Sequence, residues 1–177
     1  ELVNDVLARL REQSVTSVTQ TAYSTLIGKY INDTKRQVED AWNWDVLDTV
    51  LTVTTSAGTS LYTVTGSGNR HKAIKVNDAS NKGTLFNVPF RWIQDQQQLT
   101  TVQSGAPVNY AWSGTDGTDS KVTLFPTPDG TYTIYFNLIV PQAALVIGGD
   151  VLKVPSEPVI LGAYARAIVE RGEDGGL

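Results

Sequence analysis

The chain has 177 residues and a net charge of −4, and it is 41% hydrophobic and 18% charged, the make-up of a globular protein with one sizeable core or a core carrying an inserted module. Mild acidity and the lack of any Lys/Arg cluster exclude a protein that grips duplex DNA by its phosphates. The absence of cysteine excludes disulfides and thiolate metal sites, and no apolar run is long enough for a transmembrane helix or a signal-peptide core.

Leu2, Val3, Val6, Leu7 and Leu10 fall within about 140° of a helical wheel, which predicts a first amphipathic helix ending near Gln13. Residues 14–21, rich in Ser and Thr, read as a connection in which Thr19 or Thr21 is placed to cap the second helix. From Ala22 to about Asn43 the period is again helical, with Ile27, Tyr30, Ile31, Thr34, Val38, Ala41 and Trp42 within about 120°. The other side carries Lys29, Asn32, Asp33, Arg36, Glu39 and Asp40, with Lys35/Glu39 and Arg36/Asp40 at the i,i+4 spacing of surface ion pairs. Gly28 in this helix costs about 1 kcal/mol relative to Ala, so it marks either tolerated local strain or the close approach of a second helix.

At Trp44 the period becomes two. Alternating β-branched runs at 44–54, 61–65, 72–76, 84–88, 108–113, 121–125 and 131–140 predict seven strands of a β-sandwich or barrel. Turn-rich stretches separate them, and Thr127-Pro128-Asp129-Gly130 fits a type I turn closing a hairpin. Residues 91–99 are the exception, where Trp92, Gln96 and Leu99 share one face of a short helix.

Residues 155–172 predict a last helix, with Ser156 as N-cap, Pro158 in the first turn and Gly172 as the C-terminal glycine. Its apolar residues cover about two thirds of the circumference, roughly twice what one partner needs, with Arg166 and Glu170 opposite and Arg171 snorkelling in the last turn. Gly162 poses the same alternative as Gly28. The expected fold is therefore α+β: N- and C-terminal helices forming a helical bundle (residues 1–43 and 142–177) around an inserted antiparallel β-sandwich or barrel-like module (44–141).

Residues for catalysis are sparse. His71, the only histidine, sits in a polar turn and is expected to be solvent-exposed. Without a second His or any Cys, zinc-type sites are not expected. Gly66-Ser67-Gly68-Asn69-Arg70 has phosphate-loop composition but lies between strands, and Asp116-Gly117-Thr118-Asp119 lacks the carboxylates of a calcium loop, so both read as turns. Trp42 and Trp44 straddle the switch from helix to strand and are expected to cement that joint rather than stack a sugar or base. No enzymatic activity, cofactor or metal is expected.

One resemblance is carried by the order of several motifs: Ala41-Trp42-Asn43-Trp44, Gly105-Ala106-Pro107-Val108-Asn109-Tyr110, Leu124-Phe125-Pro126-Thr127-Pro128-Asp129-Gly130-Thr131-Tyr132, Asp150-Val151-Leu152-Lys153-Val154-Pro155, and the run from Leu161 to Asp174. Together they resemble the head-to-tail adaptor (connector) proteins of tailed bacteriophages, as in short-tailed phages. That resemblance implies a structural virion protein at the head-tail junction. Twelve copies would form a ring beneath the portal, bound to the tail nozzle or tail tube protein, with no membrane partner. Genomic DNA would pass through without sequence-specific binding. The family's last helix runs on into a tail that docks on the portal. Met is absent even at position 1, so residue 1 is expected not to be the translation start.

On this reading one flank of the last helix, Ile160, Ala163, Tyr164 and Ala167, closes the bundle on Ile27, Ile31, Val38 and Trp42. The other, Ala165 and Val169 with neighbouring Arg166 and Glu170, is the candidate subunit or portal interface. The rival reading is a carbohydrate- or receptor-binding β-sandwich of a phage tail, using Trp92, Trp112 or Tyr110 as its platform.

Overall fold

A computed structural model describes residues 1–99, 101, 103–146 and 148–172. The fold is mixed α+β, with four helices, α1 (Leu2–Arg9), α2 (Ala22–Ala41), α3 (Phe90–Leu99) and α4 (Ser156–Arg171), and seven strands. The strands are β1 (Asp48–Thr54), β2 (Leu61–Thr63), β3 (Lys72–Asp78), β4 (Gly83–Asn87), β5 (Asn109–Thr115), β6 (Ser120–Phe125) and β7 (Thr133–Ile139). The chain divides into two compact units, one built from Glu1–Leu47 together with the chain from Pro141 onward, the other from Asp48–Val140.

In the first unit α1, α2 and α4 contact one another. Helix α1 is shorter than its pattern predicts, stopping at Arg9 because Arg11 turns to φ 59°. Asn4 then clamps the connection: its Nδ2 donates to the Val15 carbonyl and its Oδ1 accepts from the Val15 N–H, both at 2.9 Å. Thr21 starts α2 with a capping box, its Oγ1 accepting from the Ser24 N–H while Ser24 Oγ accepts from the Thr21 N–H. Ile27 and Ile31 are buried as expected, but Ala41 and Trp42 are exposed.

The Lys35/Glu39 pair overturns the expectation of a solvated face. Lys35 is 1% and Glu39 2% exposed. Lys35 Nζ donates to Glu39 Oε1 (3.1 Å) and to the carbonyls of Gln142 (2.6 Å) and Ala143 (3.0 Å), and Glu39 Oε1 also accepts from the Gln142 N–H at 3.1 Å. One turn earlier Asn32 repeats the clamp of Asn4 on Leu145, donating to its carbonyl at 2.9 Å and accepting from its N–H at 2.8 Å. The chain returning from the sheet is thus fastened along one side of α2 by side chains that read its backbone. The pair is buried because peptide groups far along the sequence supply partners that desolvated charges require.

The second unit is one seven-stranded sheet, in order β1-β7-β3-β4-β5-β6-β2, curled into a nearly closed, barrel-like form around Val53, Val64, Val76, Leu85, Val122, Leu124, Ile134, Phe136 and Leu138. It corrects three expectations. Residues 44–47 are not strand, since Asp45–Leu47 form a 3-10 turn before β1. The sheet is not wholly antiparallel, because β4 and β5 pair in parallel at Phe86/Asn109 and Asn87/Tyr110. A parallel pair needs a crossover, and α3 is that crossover. Finally, Thr127-Pro128-Asp129-Gly130 closes no hairpin: β7 pairs with β1 and β3, and β6 with β5 and β2. The segment is drawn across instead by Gly58 N–H to the Pro128 carbonyl (2.8 Å) and Thr55 Oγ1 to the Gly130 carbonyl (2.9 Å).

Helix α3 turns Ile93 inward against Ala111 and Phe125, while Trp92 lies edge-on to Phe125 at 5.3 Å. The side chain of Leu99 lies outside the described residues.

Candidate interaction surface

Helix α4 starts at Ser156, so Pro155 rather than Ser156 occupies the N-cap, with no side-chain cap bond. Pro158 is tolerated in the first turn, where its missing N–H would have no helical partner. At the other end Gly172, at φ 70°, closes the helix as expected by donating its N–H to the Ile168 and Val169 carbonyls.

Val159, Ile160, Ala163 and Ala167 are buried, and Tyr164 is half-buried. A Cβ on Gly162 would lie 2.5 Å from Thr34 Cγ2, so this glycine marks a close approach of α4 to α2. A Cβ on Gly28 would meet Val18 Cγ1 at 2.7 Å, so there the neighbour is the α1–α2 connection and not a helix. The end of α4 is tied to the connection after α1 and to the start of α2. Arg171 Nη2 bonds the Glu12 carboxylate, its Nε donates to Tyr23 Oη at 2.7 Å, and its guanidinium lies 4.8 Å from the Tyr23 ring centroid. Burial pushes the Tyr23 hydroxyl above its ordinary pKa, and the Arg171 bond acts against that rise.

With Val159 and Gly162 turned inward, the outward side of α4 is apolar. Pro158, Leu161, Ala165 and Val169 form one exposed row at spacings of three and four residues, Leu161 43% and Val169 63% exposed. From Leu161 to Val169 the row spans about 12 Å at 1.5 Å per residue. Of the expected polar pair, Glu170 is exposed and Arg166 half-buried. Val146 and Val151 of the same unit are also exposed. The acidic segment after Gly172 lies outside the described residues.

The other candidate residues fall elsewhere. Trp42 is 67% exposed, against the expectation of a cemented joint, whereas Trp44 donates its Nε1–H to the Val38 carbonyl at 2.8 Å, within its own unit. His71 is not an open turn residue. Its ring lies tilted against Trp112 with centroids 4.1 Å apart, its Nδ1 lies 3.4 Å from Ser120 Oγ, and burial lowers its pKa below the ordinary 6.5. Tyr110 is buried and Trp112 packs against Tyr110 and Phe136, leaving Trp92 the most open of the three platform residues.

Residues 66–70 do form the turn between β2 and β3, with the Gly68 N–H donated to Asp119 Oδ1 at 2.9 Å. The 116–119 loop joins β5 to β6. There the N–H groups of Asp119 and Thr118, bonded to Asp116 Oδ1, hold the Asp116 carboxyl below the usual carboxylate range. Among the described residues, no three His, Cys, Asp or Glu side chains group as metal ligands. No described helix is long and apolar enough to cross a membrane.

The sequence matches, over residues 1–174, the family model described as SU10 adaptor protein, and the chain belongs to that family of bacteriophage adaptors. None of the curated proteins compared with it matches.

Proposed function

We propose that the chain is a structural, non-enzymatic virion protein: a head-to-tail adaptor whose copies form a ring between the portal and the tail nozzle or tail tube, through which the genome passes. The observation that carries this reading beyond family membership is the exposed apolar row of α4, Leu161, Ala165 and Val169. In an isolated subunit that row leaves apolar surface in water, and association would remove it at about 25 cal/mol per Å². On this reading α1, α2 and α4 form the bundle that meets neighbouring subunits and the portal, with Arg166 and Glu170 flanking the contact. A net charge of −4 suits a conduit that must release DNA rather than hold it.

The test is to mix the protein with its cognate portal and image the product by negative stain. A twelvefold ring of added density on the portal is expected. Portal class averages unchanged at saturating protein would overturn the reading.

A further inference from the structure

The segment after β7 is held to α2 in an unusual way. All five bonds from Asn32, Lys35 and Glu39 to residues 142–145 join a side chain of α2 to a peptide group of the segment. Apart from Gln142, whose side chain turns away from α2 to Val151 and Lys153, the segment's side chains contribute little: Ala143 and Ala144 face solvent, and Leu145 is half-buried. Beneath it lie a buried ammonium and a buried carboxylate, and the carboxylate's second oxygen, Glu39 Oε2, has no hydrogen-bond partner among the described residues.

We propose that residues 142–145 are a latch that releases from α2 as one unit while the helix stays intact. Release exchanges each peptide–side-chain bond for a bond to water, a small net loss per bond. At the same moment it rehydrates Lys35 and Glu39, recovering part of the desolvation cost that the closed form carries. Helix α2 is held independently by its Thr21/Ser24 capping box and by Ile27 and Ile31 in the core. Latch and helix therefore differ in what holds them, and a segment with few buried apolar contacts opens below the global unfolding free energy. The Gln142 side chain, which donates to the Val151 carbonyl (2.7 Å) and accepts from the Lys153 N–H (3.1 Å), carries the release onward toward α4.

Native-state hydrogen exchange on the whole protein tests this at two amides, Gln142 N–H, bonded to Glu39, and Leu145 N–H, bonded to Asn32. Both are expected to share one protection factor, at least about tenfold below those of Ile31 and Lys35 in α2. In Asn32→Ala both should lose protection together, about tenfold or more, with Ile31 and Lys35 unchanged. Gln142 is the informative amide, because its own acceptor is untouched. Protection of Gln142 and Leu145 equal to that of α2 in the unaltered protein would overturn the latch, and so would an Asn32→Ala effect confined to Leu145. The first comparison stands even if the variant does not fold.

Discussion

Gly162 of α4 faces Thr34 of α2 so closely that an added methyl carbon would come within 2.5 Å of Thr34 Cγ2. Thr34 cannot turn aside freely, because its Oγ1 donates to the Tyr30 carbonyl at 2.8 Å and its side chain is buried. Gly162→Ala gains about 1 kcal/mol of helix propensity but overpacks a crossing that has no slack. A net destabilisation of about 1–3 kcal/mol is expected from the urea midpoint. Adding Thr34→Ala should restore much of the loss. A stabilised Gly162→Ala protein would show that the two helices separate at little cost.

Lys35→Met leaves Glu39 as a buried, unpaired carboxylate and removes the donor to two carbonyls. The expected loss is about 3–5 kcal/mol, measured by chemical denaturation. Arg36→Met, one residue on and exposed, should stay within about 0.5 kcal/mol of the parent. Equal effects at the two positions would contradict the burial of the pair.

His71 links stability to pH. Burial against Trp112 lowers its folded pKa below the unfolded value of 6.5, the Gly68 backbone acting the other way. Between those two values the unfolded chain binds more protons, so the contribution is complete above pH 6.5 and is lost as pH falls through the folded pKa. Denaturation midpoints at about pH 7.5 and about pH 5.5 should show the sheet unit weaker at the lower pH, and His71→Gln should reduce the difference. An unchanged pH dependence in that variant would remove His71 as its source.

Val169→Glu places a charge on the outward row of α4. The isolated protein should keep its denaturation midpoint within about 0.5 kcal/mol, while ring formation on the portal is lost. Ala167→Glu, two residues earlier and buried, should unfold the helical unit instead. If Val169→Glu also unfolds the subunit, the row belongs to the core.

Much of the fold was readable from local pattern. Period two marks the strands and period 3.6 marks α2 and α4, because most of those segments turn one side to the core, although β6 is buried along nearly its whole length. What escaped was pairing at a distance. Thr127-Pro128-Asp129-Gly130 has good turn chemistry, yet Thr55 and Gly58 of another loop decide its path. Lys35 and Glu39 have surface-pair spacing, and only the arrival of Gln142 and Ala143 makes them interior. On α4 the wheel separated Ala165 and Val169 from the buried flank, but it assigned the solvent side to Arg166 and Glu170. Glu170 is exposed accordingly, while Arg166 is half-buried and Val159 and Gly162 turn inward.

The bond between Arg171 and Glu12 joins residues 159 positions apart. During synthesis Glu12 and Tyr23 leave the ribosome long before Arg171, and α2 has no α4 to pack against until the whole sheet has been made. The sheet, continuous in sequence, can fold as soon as it emerges, at rates set by its own contacts. The helical unit, begun first, is therefore finished last, and a nascent chain stopped before residue 156 should carry a folded sheet and an apolar, chaperone-binding α2.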